Sequence, residues 1–333
     1  MQTSVKTLRI LFCGLGSIGR RHARLIQSNF PHEIVAIRSF KGQEPKDLEF
    51  TEVSSWAEVD AQKFDVAFIT NPTFLHIETA LRCAERDMHL FIEKPVDCAL
   101  TGLEKLLALV RDRQLSAYVA YPLRFHPVVR ALKKRLSGKR CLHASMVCAS
   151  YLPHWRPKQD YRQSYASMKQ KGGGVFLEMS HEIDMAEFLF GPVVEIAGRL
   201  SRLSDLTIDS DDCADLILRH DSGITNIHLN MFSHQRRRHI AVDVPGGYLH
   251  ADLCQPSVTE VTGEEVSHED FSIENDSMYV SQLQYFFERL GRSDMENNLL
   301  EASSLFTRMI EFRESQNYGN TDHHLRPGRV AGR

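Results

Sequence analysis

The chain has 333 residues, enough for two domains with substantial cores. Apolar residues make up 42% and charged residues 25%, and 40 Lys plus Arg stand against 43 Asp plus Glu. That balance gives no basic field to favour nucleic acid or an anionic membrane. No apolar run approaches the length of a membrane span. The opening residues, MQTSVKTLRILF, lead into a strand pattern rather than a signal peptide, so a cytoplasmic protein is expected. The seven cysteines are odd in number, scattered and without CxxC spacing, which argues against a disulfide framework or a zinc site. No metal is expected.

LRILFCG (8–14) is an apolar run ending in glycine, and SIGRRHARLIQSN after it has a helical pattern. Between them lies Gly14-Leu15-Gly16-Ser17-Ile18-Gly19, a G-x-G-x-x-G sequence. That pattern is weak alone, but it gains a mechanism at a strand-to-helix turn. Gly14 permits the turn, Gly16 lets backbone approach a pyrophosphate, and Gly19 lets helix and strand pack closely. Ser17 and Ile18 lie at the helix N-terminus, where unpaired N–H groups favour an anion.

EIVAIRS (33–39) reads as the second strand. Its end discriminates cofactors, an acid binding the ribose 2′-hydroxyl of NAD and an arginine accommodating the 2′-phosphate of NADP. The chain reads Ile37-Arg38-Ser39-Phe40-Lys41 there, which points to NADP(H) through Arg38 and Ser39, with NAD as the alternative.

FDVAFITN (64–71), HLFIEKP (89–95) and AYVAYPL (117–123) are further short strand-like runs, separated by the amphipathic patterns TFLHIETALRCAERD and LTGLEKLLALVRDRQ. Apolar strands alternating with helices predict a doubly wound parallel sheet over residues 1–123. Ligands of such sheets lie beyond the carboxyl ends of the strands, where Asn71-Pro72-Thr73 and Glu93-Lys94-Pro95 fall.

A helix over 126–138 follows, then CLHASMVCASY and an aromatic, cationic stretch. In that stretch Tyr151, Trp155, Arg156, Tyr161, Arg162 and Tyr165 suit a sugar ring bearing a carboxylate or phosphate. A loop packed between domains would also explain it. After a helix at 176–190 come DDCADLILRH, GITNIHLNMF, RRRHIAVDV and GYLHADL, with PGG (245–247) as a turn. A second α/β domain built on a mostly antiparallel sheet, residues 124–317, is expected. Its last helix carries Ala302, Leu305, Phe306, Met309 and Ile310 at helical spacing. The tail, 318–333, has no apolar period and is expected to be mobile.

GLGSIGRRH (14–22), TNPTFLH (70–76), IEKP (92–95), LRFHP (123–127) and GGGVFLEMSHEID (172–184), in this order, resemble the glucose–fructose oxidoreductase and inositol dehydrogenase (Gfo/Idh/MocA) family. The resemblance implies a Rossmann domain, an open-faced sheet that often forms oligomer contacts, and NAD(P)-dependent chemistry on sugar carbons. A homodimer or homotetramer is then expected. Lys94 matches the family's catalytic lysine and His181 its acid/base histidine. Glu93 matches the acid before that lysine, and Asn71 and Pro72, with Thr73 and His76 of the same motif, match the cofactor wall.

One departure stands out. Where the family commonly has Asp-x-x-x-His, this chain has Glu178-Met179-Ser180-His181. Spacings of three and four share a helical face, so Glu178, His181 and Asp184 are expected to point together into the pocket. Arg124, in LRFHP, is a further candidate for an anionic substrate group.

The expected substrate is an amino sugar or nucleotide sugar, because the YRQSY…GGGVFLEMSHEID stretch resembles family members of sialic- or legionaminic-acid-type surface-sugar biosynthesis. An inositol- or simple-sugar dehydrogenase of catabolism is the alternative. A non-enzymatic NAD(P)-sensing regulator is the alternative of another class. Keeping both Lys94 and His181 favours an enzyme.

Overall fold

The structure, a computed structural model, describes residues 6–38 and 50–316. Ser39, Lys41 and the tail from 318 lie outside the described residues. The first sheet is formed by β1 (Arg9–Cys13), β2 (Glu33–Ile37), β3 (Thr51–Val53), β4 (Val66–Ile69), β5 (His89–Glu93) and β6 (Ala117–Ala120). All its pairings are parallel, in the order β3-β2-β1-β4-β5-β6. The helices between are α1 (Ser17–Asn29), α2 (Trp56–Asp60), α3 (His76–Ala84) and α4 (Leu103–Asp112). This is a doubly wound Rossmann sheet. Sequence reading missed β3 and α2 because a three-residue edge strand and a five-residue helix are too short to show a period.

After α5 (Pro127–Leu136) the chain enters a second sheet. Its strands are β7 (His143–Tyr151), β8 (Val193–Ser201), β9 (Cys213–His220), β10 (Ile224–Asn230), β11 (Phe232–Val244), β12 (Gly247–Asp252), β13 (Ser257–Thr262) and β14 (Glu265–Asp270). The order is β14-β13-β12-β11-β7-β10-β9-β8, and only β7 with β10 is parallel. In β9 the residues alternate sharply. Ala214, Leu216 and Leu218 are buried under helices, while Asp215, Ile217 and Arg219 are exposed. The outer face is therefore open, but it mixes polar and apolar side chains and is not the bare apolar surface that a simple open sheet suggests.

The helix expected over 176–190 is two helices, α6 (Val175–Glu178) and α7 (His181–Phe190), broken at Met179 and Ser180. Glu178 and His181 consequently do not share one helical face. The boundary at 123 separates the two sheets but not their coverings. From the C-terminal third, α8 (Ser277–Arg289) puts Leu283 and Phe286 onto the first sheet, against Phe68, Phe91 and Tyr118. Phe68 stacks between Phe12 at 4.8 Å and Phe91 at 4.4 Å, and Phe286 meets Phe91 edge-on. Burying side chains of this size stabilises by roughly 2–3 kcal/mol each, so α8 is integral to the first domain. The last helix, α9 (Leu299–Ser315), buries the five residues of its predicted stripe. No described helix is long and apolar enough to cross a membrane.

Candidate active site

Five strands of the first sheet deliver the chemistry-bearing residues to one edge: Gly14 after β1, Arg38 after β2, Asn71 after β4, Lys94 after β5 and Tyr121 after β6. Gly14 takes φ 108°, and a Cβ there would lie 2.6 Å from the Asn71 backbone. A Cβ on Gly19 would lie 2.4 Å from the Gly14 carbonyl oxygen, so strand and helix touch there. At Gly16 a Cβ would meet nothing within 4 Å. That open cradle adjoins the N-terminus of α1, which has no acidic residue in its first turn and no side-chain cap. The arrangement fits a dinucleotide pyrophosphate. Ser17 is exposed, and its Oγ accepts a hydrogen bond from Arg156 Nη2 at 3.3 Å, which brings the second domain's loop to the glycine turn.

Arg38 changes the cofactor argument. Its side chain is buried, and Nη1 lies 2.7 Å from Glu52 Oε1 on β3, the neighbouring strand. The acid that the second strand lacks thus comes from the third, and it neutralises the charge on which a preference for NADP(H) rests. The pair lies 14 residues apart in sequence, so no local pattern announces it.

The wall formed by TNPTFLH is internally braced. Asn71 Nδ2 donates to Thr79 Oγ1 at 2.8 Å, and its Oδ1 is buried without a partner. Thr73 is buried behind the exposed Pro72. The ring nitrogens of His76 lie 2.9 Å from the carbonyl oxygens of Pro95 and Asn71, tying the turn after β5 to the turn after β4.

The Lys94–Pro95 peptide is cis. Glu93 is buried, 2.7 Å from His22 Nε2, and its Oε2 accepts the Lys94 N–H at 3.3 Å. Lys94 Nζ donates to the Glu178 carbonyl oxygen at 2.8 Å, across the domain junction. His181 lies partly exposed against the Tyr121 ring, 5.7 Å between centroids. Its Nδ1 is buried with no hydrogen-bond partner. Burial, then the charges of Lys94 and Arg238, hold its pKa well below the usual histidine value, so the ring is neutral near pH 7. Burial pushes the Glu178 carboxyl up against the pull of Lys94. Tyr165 OH stands 3.5 Å from that carboxyl, and the Glu178 charge and burial keep the phenol protonated.

The expected substrate residues divide. Trp155, Arg156, Tyr161 and Tyr165 line a space of about 30 Å³ beside Glu178, the size of one water. In this conformation they close over Glu178 instead of leaving room for a sugar. Trp155 Nε1 donates to Ser150 Oγ, and the Tyr161 hydroxyl accepts from the Thr207 N–H. Arg162 and Tyr151 stand apart from that space. Arg162 closes on Asp160, two residues away, and Tyr151 stacks on His234 at 4.0 Å. Arg124 and Asp184 are bound to each other by a two-pronged pair, 2.7 Å at its shortest, with Asp184 fully buried. Asp184 therefore anchors Arg124 and is not directed with Glu178 into one pocket.

The structure also gathers Cys213, Asp215 and His228 on the open sheet face, with ligand atoms within 4.8 Å of one another. Burial and the Asp215 charge push the Cys213 thiol up to about 12, and His228 Nδ1 lies 2.7 Å from Asp215. The three form a hydrogen-bonded group of a buried thiol, an exposed carboxylate and a half-buried imidazole.

A parallel sheet in this order, a glycine cradle at a helix N-terminus, and a lysine at a strand end whose charge reaches the histidine that opens α7 together define a dinucleotide-dependent oxidoreductase. Residues 8–121 match an oxidoreductase family with an NAD-binding Rossmann fold, Gfo/Idh/MocA, and residues 129–265 match the Gfo/Idh/MocA C-terminal domain. The chain belongs to this family. It is 26% identical to the inositol 2-dehydrogenase of Rhizobium meliloti over 311 residues, covering 86% of this chain and 89% of that protein. Levoglucosan dehydrogenase in complex with NADH and levoglucosan superposes with a TM-score of 0.80 at 17% identity, covering 93% of this chain and 97% of that one. The WlbA dehydrogenase of Bordetella pertussis, in complex with NADH and UDP-GlcNAcA, does so at 0.72 and 17%, with the same coverages.

Proposed function

We propose that this protein moves a hydride between NAD(H) and a secondary-alcohol carbon of a sugar, with Lys94 and His181 handling the oxygen and its proton. The chief support is Lys94. Its ammonium is anchored 2.8 Å from the Glu178 carbonyl, close enough to depress the pKa of His181, at the strand edge where such sheets hold ligands.

A bound nicotinamide supplies the hydride acceptor or donor. Removing a hydride from an alcohol leaves a hydroxyl proton, which the neutral His181 accepts. In the reverse direction, the imidazolium is a strong acid because its pKa is depressed, and it returns the proton. Lys94 hydrogen-bonds the same oxygen, stabilising the alkoxide or polarising the carbonyl. Glu178 serves through its backbone oxygen as the anchor of Lys94, and its carboxyl positions Tyr165.

Within that reaction we take the substrate to be an amino sugar or nucleotide sugar of the sialic- or legionaminic-acid type. Arg156 supports this, since a guanidinium between Ser17 and the aromatic wall suits an anionic substituent. A free cyclic polyol of the inositol type is the second reading, favoured by the likeness to the inositol 2-dehydrogenase of Rhizobium meliloti. Incubation with NAD and a panel of nucleotide sugars, free amino sugars and inositols, followed by reduced-nicotinamide absorbance, separates them. The highest kcat/KM for an activated or acidic amino sugar is expected. Intact NADH binding with no turnover across the panel would favour a cofactor sensor instead.

A further inference from the structure

A space separate from the candidate hydride site lies where α5, α7 and α8 meet. It has a volume of about 710 Å³, within the range of small-molecule pockets, and its lining includes neither Lys94 nor His181. Its walls are cationic. Arg124, Arg130, Lys133 and Lys134 line it against a single lining acid, Glu296. Asp184 neutralises Arg124, and Glu296 offsets one more charge, which leaves two positive charges in a chain whose net charge is −3. Among the described residues Arg130, Lys133 and Lys134 pair with no carboxylate.

Three of these cations lie over aromatic rings, Arg124 among them at 5.1 Å from the Phe188 ring centre. The Arg130 guanidinium lies 4.7 Å from the Phe125 ring centre, and Lys133 Nζ lies 3.3 Å from that of Phe188. A cation over a ring face keeps its N–H donors available while losing side-chain freedom, which lowers the entropy cost of binding an anion. Arg124 bonds Asp184 through Nε and Nη2, leaving Nη1 out of that pair. The last turn of a helix favours lysines, which accounts for Lys133 and Lys134. It does not account for Arg130, for Arg124 from another element, or for the cavity between them.

We propose that this cavity is a second ligand site, which binds a small molecule through a phosphate or diphosphate group held by Arg130 and Lys133. Burial disfavours the charged form of Lys133, Glu296 offsets part of that penalty while Arg124 and Arg130 add to it, and an entering anion relieves what is left.

The test is calorimetric titration of the full chain with inorganic pyrophosphate, NADH being kept saturating so that the glycine cradle is filled. One saturable event is expected, weakened about tenfold or more when Arg130→Gln and Lys133→Gln are combined. The Arg111→Gln control, an exposed arginine elsewhere, should bind as the unmodified protein does. Lys133→Arg, which keeps the charge, should retain binding and separates a lost site from a misfolded chain. ADP in place of pyrophosphate distinguishes a nucleotide from a bare phosphate, tighter binding assigning the base to the aromatic wall. Absence of saturable heat, or binding that survives loss of both cations, overturns the proposal.

Discussion

His22 Nε2 lies 2.7 Å from Glu93 Oε1, so the helix that follows the glycine turn is joined directly to the strand end that carries Lys94. Both side chains are buried, among Phe68, Phe91 and Tyr279. Removing one member leaves the other polar group without compensation in an apolar setting. His22→Ala is expected to lower stability by roughly 3 kcal/mol, measured by denaturant unfolding. It should also slow single-turnover hydride transfer in the folded, cofactor-saturated protein, because Glu93 braces the Lys94 backbone. A loss of stability with unchanged transfer would reduce the pair to a packing element.

The contact between Arg38 and Glu52 makes a prediction about cofactor choice. With the guanidinium neutralised, NADH should bind more tightly than NADPH. Glu52→Gln keeps the shape but removes the charge, and should narrow that preference by about tenfold. Parallel calorimetric titrations with the two cofactors provide the check, and equal shifts for both would refute the role of the pair.

Much of the first domain was legible because its strands are buried on both faces and read as unbroken apolar runs between amphipathic helices. The glycine turn and the IEKP strand end were legible for the same reason, since their meaning depends on local context alone. Long-range pairings were not. Arg124 with Asp184, Arg156 with Ser17 and Lys94 with Glu178 join residues 60, 139 and 84 positions apart. No periodicity announces them. The break between α6 and α7 was hidden because Phe176, Leu177, Met179 and Ile183 continue a helix-like apolar pattern straight through it.

His126, the residue before α5, is buried with Nδ1 unpartnered, and burial followed by the Arg238 charge lowers its pKa from 6.5 to about 4. Since the folded value lies below the unfolded one, the unfolded chain takes up the proton more readily. The protein should therefore lose stability as pH falls from about 6.5 to about 4, with no further loss from this group below that. Allowing for solvent screening, the contribution is on the order of 2 kcal/mol. In His126→Asn the decline between pH 7 and pH 4 should be shallower by that amount, read from denaturant midpoints. Parallel declines would clear His126 of the effect.

The open face of the second sheet exposes Ile217, Ile224 and Tyr248 among charged neighbours. An extended sheet face with apolar residues set in a polar field suits a self-complementary contact, and we expect a homodimer through it. Sedimentation at micromolar concentration should give twice the chain mass, and Ile217→Lys with Ile224→Lys should return it to 38.1 kDa. An unmodified protein that sediments as a monomer would end this expectation.

Lys94→Met is the most direct test of the proposed chemistry. Methionine keeps most of the apolar stem but has no N–H for the reacting oxygen. The glycine cradle lies on other elements, so NADH affinity should change little. Single-turnover hydride transfer should fall by roughly 10²–10³, the loss that follows removal of one preorganised donor at a developing oxyanion. A second readout separates this from simple damage. Lys94 is one of the charges that hold His181 below its usual pKa, so its removal lets that pKa rise. A base must be unprotonated to accept a proton, hence the acid limb of the residual oxidation rate should move to higher pH in the variant. A bland surface lysine would leave both the rate and the limb where they were.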